Sequence, residues 1–180
     1  MRSFFLLFFL IFSIGSIHAE NLKPSKGIIA TSNPYASKAA YEVIKNGGNA
    51  IDASIAVQLV LTLTEPQATG IGGGAFMLYW DAKKSKLFSI DGREKAPSLA
   101  SEDLFLNKDG KNIKFYPDAV VGAKSVGVPG IIRLLEETHK KFGKLEWSEL
   151  FTYAIELSEN GFSISPALHN TLGYLNYLKT

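Results

Sequence analysis

The chain has 180 residues, of which 46% are hydrophobic and 20% charged, so length and composition predict one soluble globular unit with a buried core. The formal net charge is +2 and the 19 basic residues are scattered, so the basic stripe of a nucleic-acid-binding protein is missing and we expect no such partner. Cysteine is absent, which excludes a disulfide framework and a thiolate nucleophile.

Residues 1–19 have the layout of a secretory signal peptide. A short positive start is followed by an apolar stretch over residues 4–14, and Ala19 supplies a small residue before the cleavage point. We therefore expect cleavage after about Ala19, a secreted or periplasmic location, and a mature chain over residues 20–180 without a stable membrane span. A single uncleaved N-terminal anchor is the alternative.

The first predicted elements of the mature chain are a strand and two helices. The apolar run over residues 27–31 predicts the strand. Ser32 or Asn33 before Pro34 is a typical start for the first helix, which the glycines after Asn46 end. Asn49 is a typical N-cap for the second helix, predicted over residues 50–64. This helix is apolar around most of its circumference, which indicates burial within a layered domain.

A hairpin is predicted next. Residues 75–80 form an almost wholly apolar run that predicts a buried strand, and a polar turn over residues 81–86 leads to a second strand over residues 87–91. Two adjacent strands with a short polar connection predict antiparallel pairing. The remaining pattern predicts further elements in chain order: a helix over residues 98–106, a turn at Asp109-Gly110, a strand over 119–128, and helices over 129–142, 147–159 and from Pro166 onwards.

The glycine-rich stretch at residues 70–75 matches the G-x-G-x-x-G/A spelling of a dinucleotide-binding loop. In that motif, however, a strand comes before the glycines and a helix after them, so that the phosphates meet a helix N-terminus. Here the order is reversed, and no Gly-Lys-Ser/Thr sequence follows. We therefore interpret the glycines as a tight turn that lets the backbone approach a neighbouring element closely.

Other catalytic chemistries find little support in the sequence. The histidines, at positions 18, 139 and 169, are isolated and have no metal-ligand spacing, so we expect no metal and no cofactor. A serine nucleophile in a G-x-S-x-G turn is also absent.

Arg93 is the strongest candidate for a binding residue. It lies within residues 91–97, where the second predicted strand ends. An arginine at a strand end is well placed to project into a cleft and bind a carboxylate with two hydrogen bonds. The alternative is an ordinary surface ion pair with Asp91 or Glu94.

Several sequence blocks, taken in order, resemble the gamma-glutamyltranspeptidase (glutathione hydrolase) family. They cover nearly all of the mature chain, from about Gly27 to Phe162, and comprise N-G-G-N-A-I-D-A (46–53), E-P (65–66), G-I-G-G-G-A-F-M-L (70–78), D-G-R-E-K-A-P (91–97), S-V-G-V-P-G (125–130) and N-G-F (160–162).

The resemblance implies an α+β fold, the four-layer αββα sandwich of the N-terminal-nucleophile hydrolases. Family members are precursors that cut themselves into a large and a small subunit, and the new N-terminal threonine of the small subunit is both nucleophile and base. The threonine attacks the gamma-glutamyl amide of glutathione, and water or an amino acid accepts the glutamyl group. By motif match, Arg93 is the residue that binds the α-carboxylate of the glutamyl group.

The sequence also departs from the family, because the small subunit with its nucleophile has no counterpart here. We therefore expect an incomplete sandwich, the N-terminal part of a large subunit, with Arg93 for substrate binding and no catalytic residue of its own. A separate small-subunit chain is the expected partner, and a substrate such as glutathione would be turned over only with it. The alternatives are a non-catalytic exported remnant and a gamma-glutamyl-binding module.

Overall fold

The computed structural model describes residues 27–174, so the predicted signal peptide at residues 1–19 lies outside the described residues. The main elements, in chain order, are α1 (Pro34–Lys45), α2 (Ala50–Thr64), β1 (Ala75–Asp81), β2 (Lys86–Gly92), α3 (Ile131–Phe142), α4 (Thr152–Asn160) and α5 (Pro166–Tyr174). Shorter helical turns span Phe115–Ala119, Ala123–Ser125 and Trp147–Phe151. Across residues 27–174, no helix combines the length and the apolar character needed to cross a membrane.

Both predicted N-terminal helices are confirmed. The side chain of Asn33 accepts a hydrogen bond from the backbone N–H of Tyr35 at the start of α1. At the start of α2, Asn49 accepts from the N–H of Asp52, and the Asp52 carboxylate accepts from the N–H of Asn49 at 2.9 Å. This reciprocal pair is a capping box, which satisfies backbone donors that a helix N-terminus otherwise leaves free.

Asp52 also connects α2 to a distant part of the chain. Its side chain is fully buried and accepts the backbone N–H of Lys144 at 3.0 Å, just after α3. Asn49 makes a parallel contact, since its Nδ2 donates to the carbonyl of Phe142 at 2.6 Å. The start of α2 is therefore joined to the end of α3 by hydrogen bonds that stabilise the packing of the two helices.

β1 and β2 form the predicted antiparallel hairpin, in a register that pairs Ala75 with Gly92 and Asp81 with Lys86. The prediction that β1 is buried is wrong for one of its faces. Met77 and Tyr79 pack against the helical core, whereas three large side chains on the opposite face are exposed: Phe76 (67%), Leu78 (71%) and Trp80 (57%). Side chains alternate between the faces of a strand, and the helices cover only one of them.

The helices pack around α2, which contacts α1, α3 and α4, and α3 also packs against β2. α2 lies at the centre of the core, with Ile55 and Val60 fully buried, and α3 contributes Leu134 and Leu135. Helices packed against an antiparallel hairpin confirm the expected α+β class.

Two of the predicted strands are wrong. Residues 27–31 do not form a strand, and within residues 27–174 no strand lies beside them to form a ladder. Residues 119–128 form turns and the short helix Ala123–Ser125, because Gly122 has a φ of 106° and Ser125 Oγ donates to the carbonyl of Val120. Of this run only Val128 makes an isolated bridge, with Lys95.

Two helix predictions also need correction. Residues 98–106 form turns, and Leu99 is 94% exposed, so the segment has no packed apolar face to stabilise a helix. The helix predicted over residues 147–159 is divided into the 3₁₀ turn Trp147–Phe151 and α4. The end of α4 is as predicted, because Gly161 has a φ of 79° and stops the helix.

Candidate functional site

Arg93 lies directly after the last residue of β2, as the sequence predicted. Its backbone N–H donates to Oδ1 of Asp91 at 2.8 Å, which fixes the turn at the strand end. Its side chain is 68% exposed. The hairpin therefore presents the guanidinium at the end of the sheet rather than within the core.

Glu94 is the ionic neighbour of Arg93. Its Oε2 lies 3.3 Å from Nε of Arg93, without the geometry of a hydrogen bond, and this oxygen is buried without a donor among the described residues. The two terminal nitrogens of Arg93 have no acceptor within residues 27–174. Arg93 thus forms an ion pair with Glu94 through Nε, while its two terminal nitrogens stay available to a carboxylate.

The glycine-rich stretch passes against the end of β2. A Cβ on Gly74 would lie 2.6 Å from the carbonyl oxygen of Gly92 and 2.7 Å from Oε2 of Glu94. Both distances are shorter than ordinary van der Waals contact, so only glycine fits without a shift. The interpretation of the glycine-rich stretch as a close backbone approach is confirmed at Gly74, whereas a Cβ on Gly72 would have nothing within 4 Å.

The segment that leads into α3 completes the arrangement. The carbonyl of Gly73 accepts the backbone N–H groups of Gly130 at 3.1 Å and Ile131 at 3.2 Å. Lys95 and Val128 exchange two backbone hydrogen bonds, of 3.3 and 2.8 Å. Three blocks that are far apart in the sequence therefore meet around Arg93.

An open cleft of about 460 Å³ lies at this meeting point. Its charged lining residues are Arg93, Lys95 and Lys124, against the single acid Glu94. A cleft with excess positive charge favours an anionic ligand. The sequence identified Arg93 but missed Lys124, since nothing in the neighbourhood of Lys124 along the chain distinguishes it from a surface lysine.

The buried carboxylate of Glu65 holds the start of the glycine-rich stretch in place. It accepts hydrogen bonds from Nδ2 of Asn33 at 2.7 Å, Nε2 of Gln67 at 2.7 Å and Oγ of Ser165 at 3.1 Å. These bonds, that from Asn33 first, lower the pKa of Glu65 even though burial opposes the shift. The backbone carbonyl of Glu65 accepts the N–H of Thr69, which turns the chain towards the glycines.

Residues suited to metal binding do not converge. Over the described range 27–174, no three His, Asp or Glu side chains are grouped as ligands. His139 lies 2.8 Å from the carbonyl of Leu145 through Nε2, and His169 is exposed on α5. His18 lies outside the described residues.

Hydroxyl groups are scarce in the cleft. Among the described residues that line it, only Ser125 has a hydroxyl side chain, and this hydroxyl donates a hydrogen bond to the carbonyl of Val120.

Comparisons with known proteins agree with this arrangement. The sequence model of the gamma-glutamyltranspeptidase family matches residues 36–177. The chain is 43% identical over 164 residues to the glutathione hydrolase proenzyme of Bacillus subtilis (strain 168), covering 84% of this chain and 28% of that protein. It is 44% identical over 140 residues to the glutathione hydrolase proenzyme of Pseudomonas aeruginosa, covering 77% of this chain and 24% of that protein.

Solved structures give the same result. Gamma-glutamyltranspeptidase of Helicobacter pylori aligns with a TM-score of 0.81 and 37% identity, covering 88% of this chain and 46% of that one. The enzyme of Pseudomonas nitroreducens, complexed with L-DON, aligns with a TM-score of 0.78 and 39% identity, covering 84% and 44%.

The chain thus spans about a quarter of the length of these relatives. Its α+β fold is a partial N-terminal-nucleophile hydrolase sandwich, matching less than half of each structure to which it aligns. With the family model matched over residues 36–177 and the blocks around Arg93 in contact, this chain belongs to the gamma-glutamyltranspeptidase family.

Proposed function

We propose that the chain supplies the glutamyl-binding part of a gamma-glutamyltranspeptidase large subunit, with Arg93 holding the α-carboxylate of the ligand. The observation that carries this proposal is the free guanidinium fork of Arg93 in a cleft of excess positive charge. A planar guanidinium matches a carboxylate with two parallel hydrogen bonds, which an ammonium cannot do.

Hydrolysis requires a nucleophile from another polypeptide segment. The hydroxyl of an N-terminal threonine attacks the γ-amide carbonyl while its own amine takes the proton. The carbon–nitrogen bond breaks, the protonated amine leaves, and the glutamyl group stays as an ester on the threonine. Water or an amino acid then attacks that ester, which releases glutamate or a new gamma-glutamyl compound. In this scheme Arg93 orients the substrate and takes no part in the proton transfers.

The uncovered face of the hairpin supports the requirement for a second segment. Phe76, Leu78 and Trp80 expose large apolar side chains on one face of β1, and the backbone of residues 27–31 has no strand partner within the described range. Large exposed apolar patches mark interaction surfaces. We propose that the missing part of the sandwich, carried by a small-subunit chain or by further residues of a longer protein, covers this face.

We also propose export of the chain, with residues 1–19 as a signal peptide and residues 20–180 as the N-terminal part of a large subunit. The apolar stretch over residues 4–14, after a positive start, supports export. Retention of a gamma-glutamyl-binding module without catalysis is the second candidate function, favoured by the 68% exposure of the Arg93 side chain in the cleft, which leaves it accessible to a carboxylate.

Ligand binding tests the proposal without requiring catalysis. L-Glutamine, the simplest gamma-glutamyl amide, should bind the chain, and 4-aminobutanamide, which lacks the α-carboxylate, should not. Arg93→Lys should weaken glutamine binding about tenfold, because a hydrogen bond to a charged group is lost.

Arg133→Lys is the matched control. The guanidinium of Arg133 already pairs with Glu136 at 3.0 Å and Glu137 at 2.9 Å on α3, so its replacement should leave the affinity for glutamine unchanged. Equal binding of the two ligands, or equal affinity of the Arg93→Lys variant and the parent chain, would contradict the proposal.

A further inference from the structure

The cleft around Arg93 contains more positive charge than one carboxylate requires. Arg93, Lys95 and Lys124 line it together, and the only acid in the lining, Glu94, lies against Arg93. Within residues 27–174, neither Lys95 nor Lys124 has an acidic side chain within ion-pair distance. Two lysine ammonium groups thus remain for a ligand after Glu94 and the first carboxylate are placed at Arg93.

The backbone holds Lys124 on the wall of the cleft. Lys124 is the middle residue of the 3₁₀ turn Ala123–Ser125, closed by the hydrogen bond from the N–H of Val126 to the carbonyl of Ala123 at 3.2 Å. Four residues after Lys124, Val128 forms an isolated backbone bridge with Lys95. Lys124 is therefore connected, through a short and hydrogen-bonded path, to the residue two positions after Arg93.

A second close contact fixes the same path from the other side. A Cβ on Gly127 would lie 2.9 Å from Cβ of Glu94, so the segment that follows Lys124 lies directly on the residue beside Arg93. Backbone contacts thus hold the segment that carries Lys124 beside Glu94 and Lys95. Because the backbone is held in this way, only the lysine side chains have to adjust to contact a ligand.

The volume of the cleft limits the ligand. About 460 Å³ lies at the lower end of the range for small-molecule sites, which suits a ligand of dipeptide size. An ammonium group makes a point contact of low directionality, so lysines select for negative charge more than for shape. The lining therefore matches a small ligand that carries more than one anionic group.

We propose that this cleft selects gamma-glutamyl compounds whose amide-side portion carries a second carboxylate, and that Lys124, assisted by Lys95, recognises that carboxylate. This inference rests on the proposed role of Arg93, which binds the first carboxylate. Lys124 is then a specificity-determining residue, since it remains for the second carboxylate once Arg93 holds the first.

The test compares two ligands that differ only in the second carboxylate, γ-L-glutamylglycine and its C-terminal amide. Titration calorimetry on the full chain should give a three- to fivefold tighter dissociation constant for the acid, since an exposed ion pair contributes about this much. Lys124→Ala should bring the ratio of the two constants to about one. Lys124→Arg, which keeps the charge, should retain the preference.

Lys111→Ala is the matched control, because Lys111 is exposed, lies outside the cleft lining and removes the same unit of charge. It should leave the ratio as it is in the parent chain. A change of the ratio in Lys111→Ala equal to that in Lys124→Ala would overturn the inference, as the effect would then be one of net charge. An identical circular dichroism spectrum for each variant establishes that the fold is kept.

The outcomes separate this inference from the proposed function. Equal binding of the acid and the amide, both weakened by Arg93→Lys, would overturn the role of Lys124 and leave that of Arg93 intact. A preference for the acid that persists in Lys124→Ala would likewise overturn it. Affinities that Arg93→Lys does not change would overturn the proposed function itself, and absence of saturable binding of either ligand would overturn both.

Discussion

Nδ2 of Asn33 lies 2.7 Å from Oε1 of Glu65, and both residues are buried. This hydrogen bond joins the residue that caps α1 to the residue that ends α2. Oγ of Ser165, at the start of α5, donates to the other oxygen of the same carboxylate at 3.1 Å. One buried acid thus connects three helix ends beside the glycine-rich stretch that approaches the Arg93 cleft.

Glu65→Gln should destabilise the chain by about 1–3 kcal/mol, because the new amide nitrogen would face a buried donor from Asn33, Gln67 or Ser165. The free energy of unfolding in urea measures the effect. Glu102→Gln removes an exposed carboxylate and should change that free energy by less than about 0.5 kcal/mol. Equal stability of the two variants would contradict the account of this network.

The same residue makes the stability of the chain depend on pH. The hydrogen bonds lower the pKa of Glu65 from its ordinary value of 4.5, so the unfolded state binds the proton more tightly than the folded state does. The stabilisation is therefore present above pH 4.5 and is lost as the pH falls through the folded-state pKa. Urea midpoints measured from pH 6 down to pH 3 should converge between the parent chain and Glu65→Gln. A difference between them that stays constant with pH would contradict the shift.

Gly74→Ala should destabilise the site by about 1–3 kcal/mol, since the added methyl group would meet the carbonyl of Gly92 and the carboxylate of Glu94. Gly72→Ala is the control in the same stretch, because a Cβ there has nothing within 4 Å. Thermal unfolding compares the two variants. A Gly74→Ala variant as stable as Gly72→Ala would show that the backbone approach is looser than described.

The two faces of β1 should respond differently to a charge. Leu78→Lys, on the uncovered face, should change the free energy of unfolding by less than about 0.5 kcal/mol. Met77→Lys, which faces the helical core, should lower it by more than about 2 kcal/mol, because a charge would be buried without a partner. Urea unfolding of the two variants provides the comparison, and similar losses in both would mean that the uncovered face is packed.

The sequence predicted correctly those helices whose capping residues and apolar positions match the way they pack in the structure. Asn33 before Pro34, and Asn49 before an apolar run, located both N-terminal helices, since caps act over a few residues. Residues 27–31 and 119–128 have strand-like composition, but a strand forms only beside another strand, and that neighbour cannot be read from local sequence.

The site was predictable only in part for a related reason. Arg93 was identified from its position at a strand end and from the family motif. Lys124 joins it through the backbone bridge between Lys95 and Val128, a contact between segments more than thirty residues apart. No periodicity or spacing in the sequence signals such a contact, so the place of Lys124 in the cleft became visible only in three dimensions.

A chimera provides the most direct test of the role of Arg93 in the complete enzyme. Residues 27–162 of this chain would replace the matching segment of the Bacillus subtilis proenzyme, to which the chain is 43% identical. The measurement is the KM for γ-glutamyl-p-nitroanilide of the chimera with and without Arg93→Lys. We expect an active chimera in which the substitution raises KM about tenfold, because the two-point contact with the α-carboxylate is lost. An unchanged KM in the Arg93→Lys chimera would contradict the assignment on which the proposed function rests.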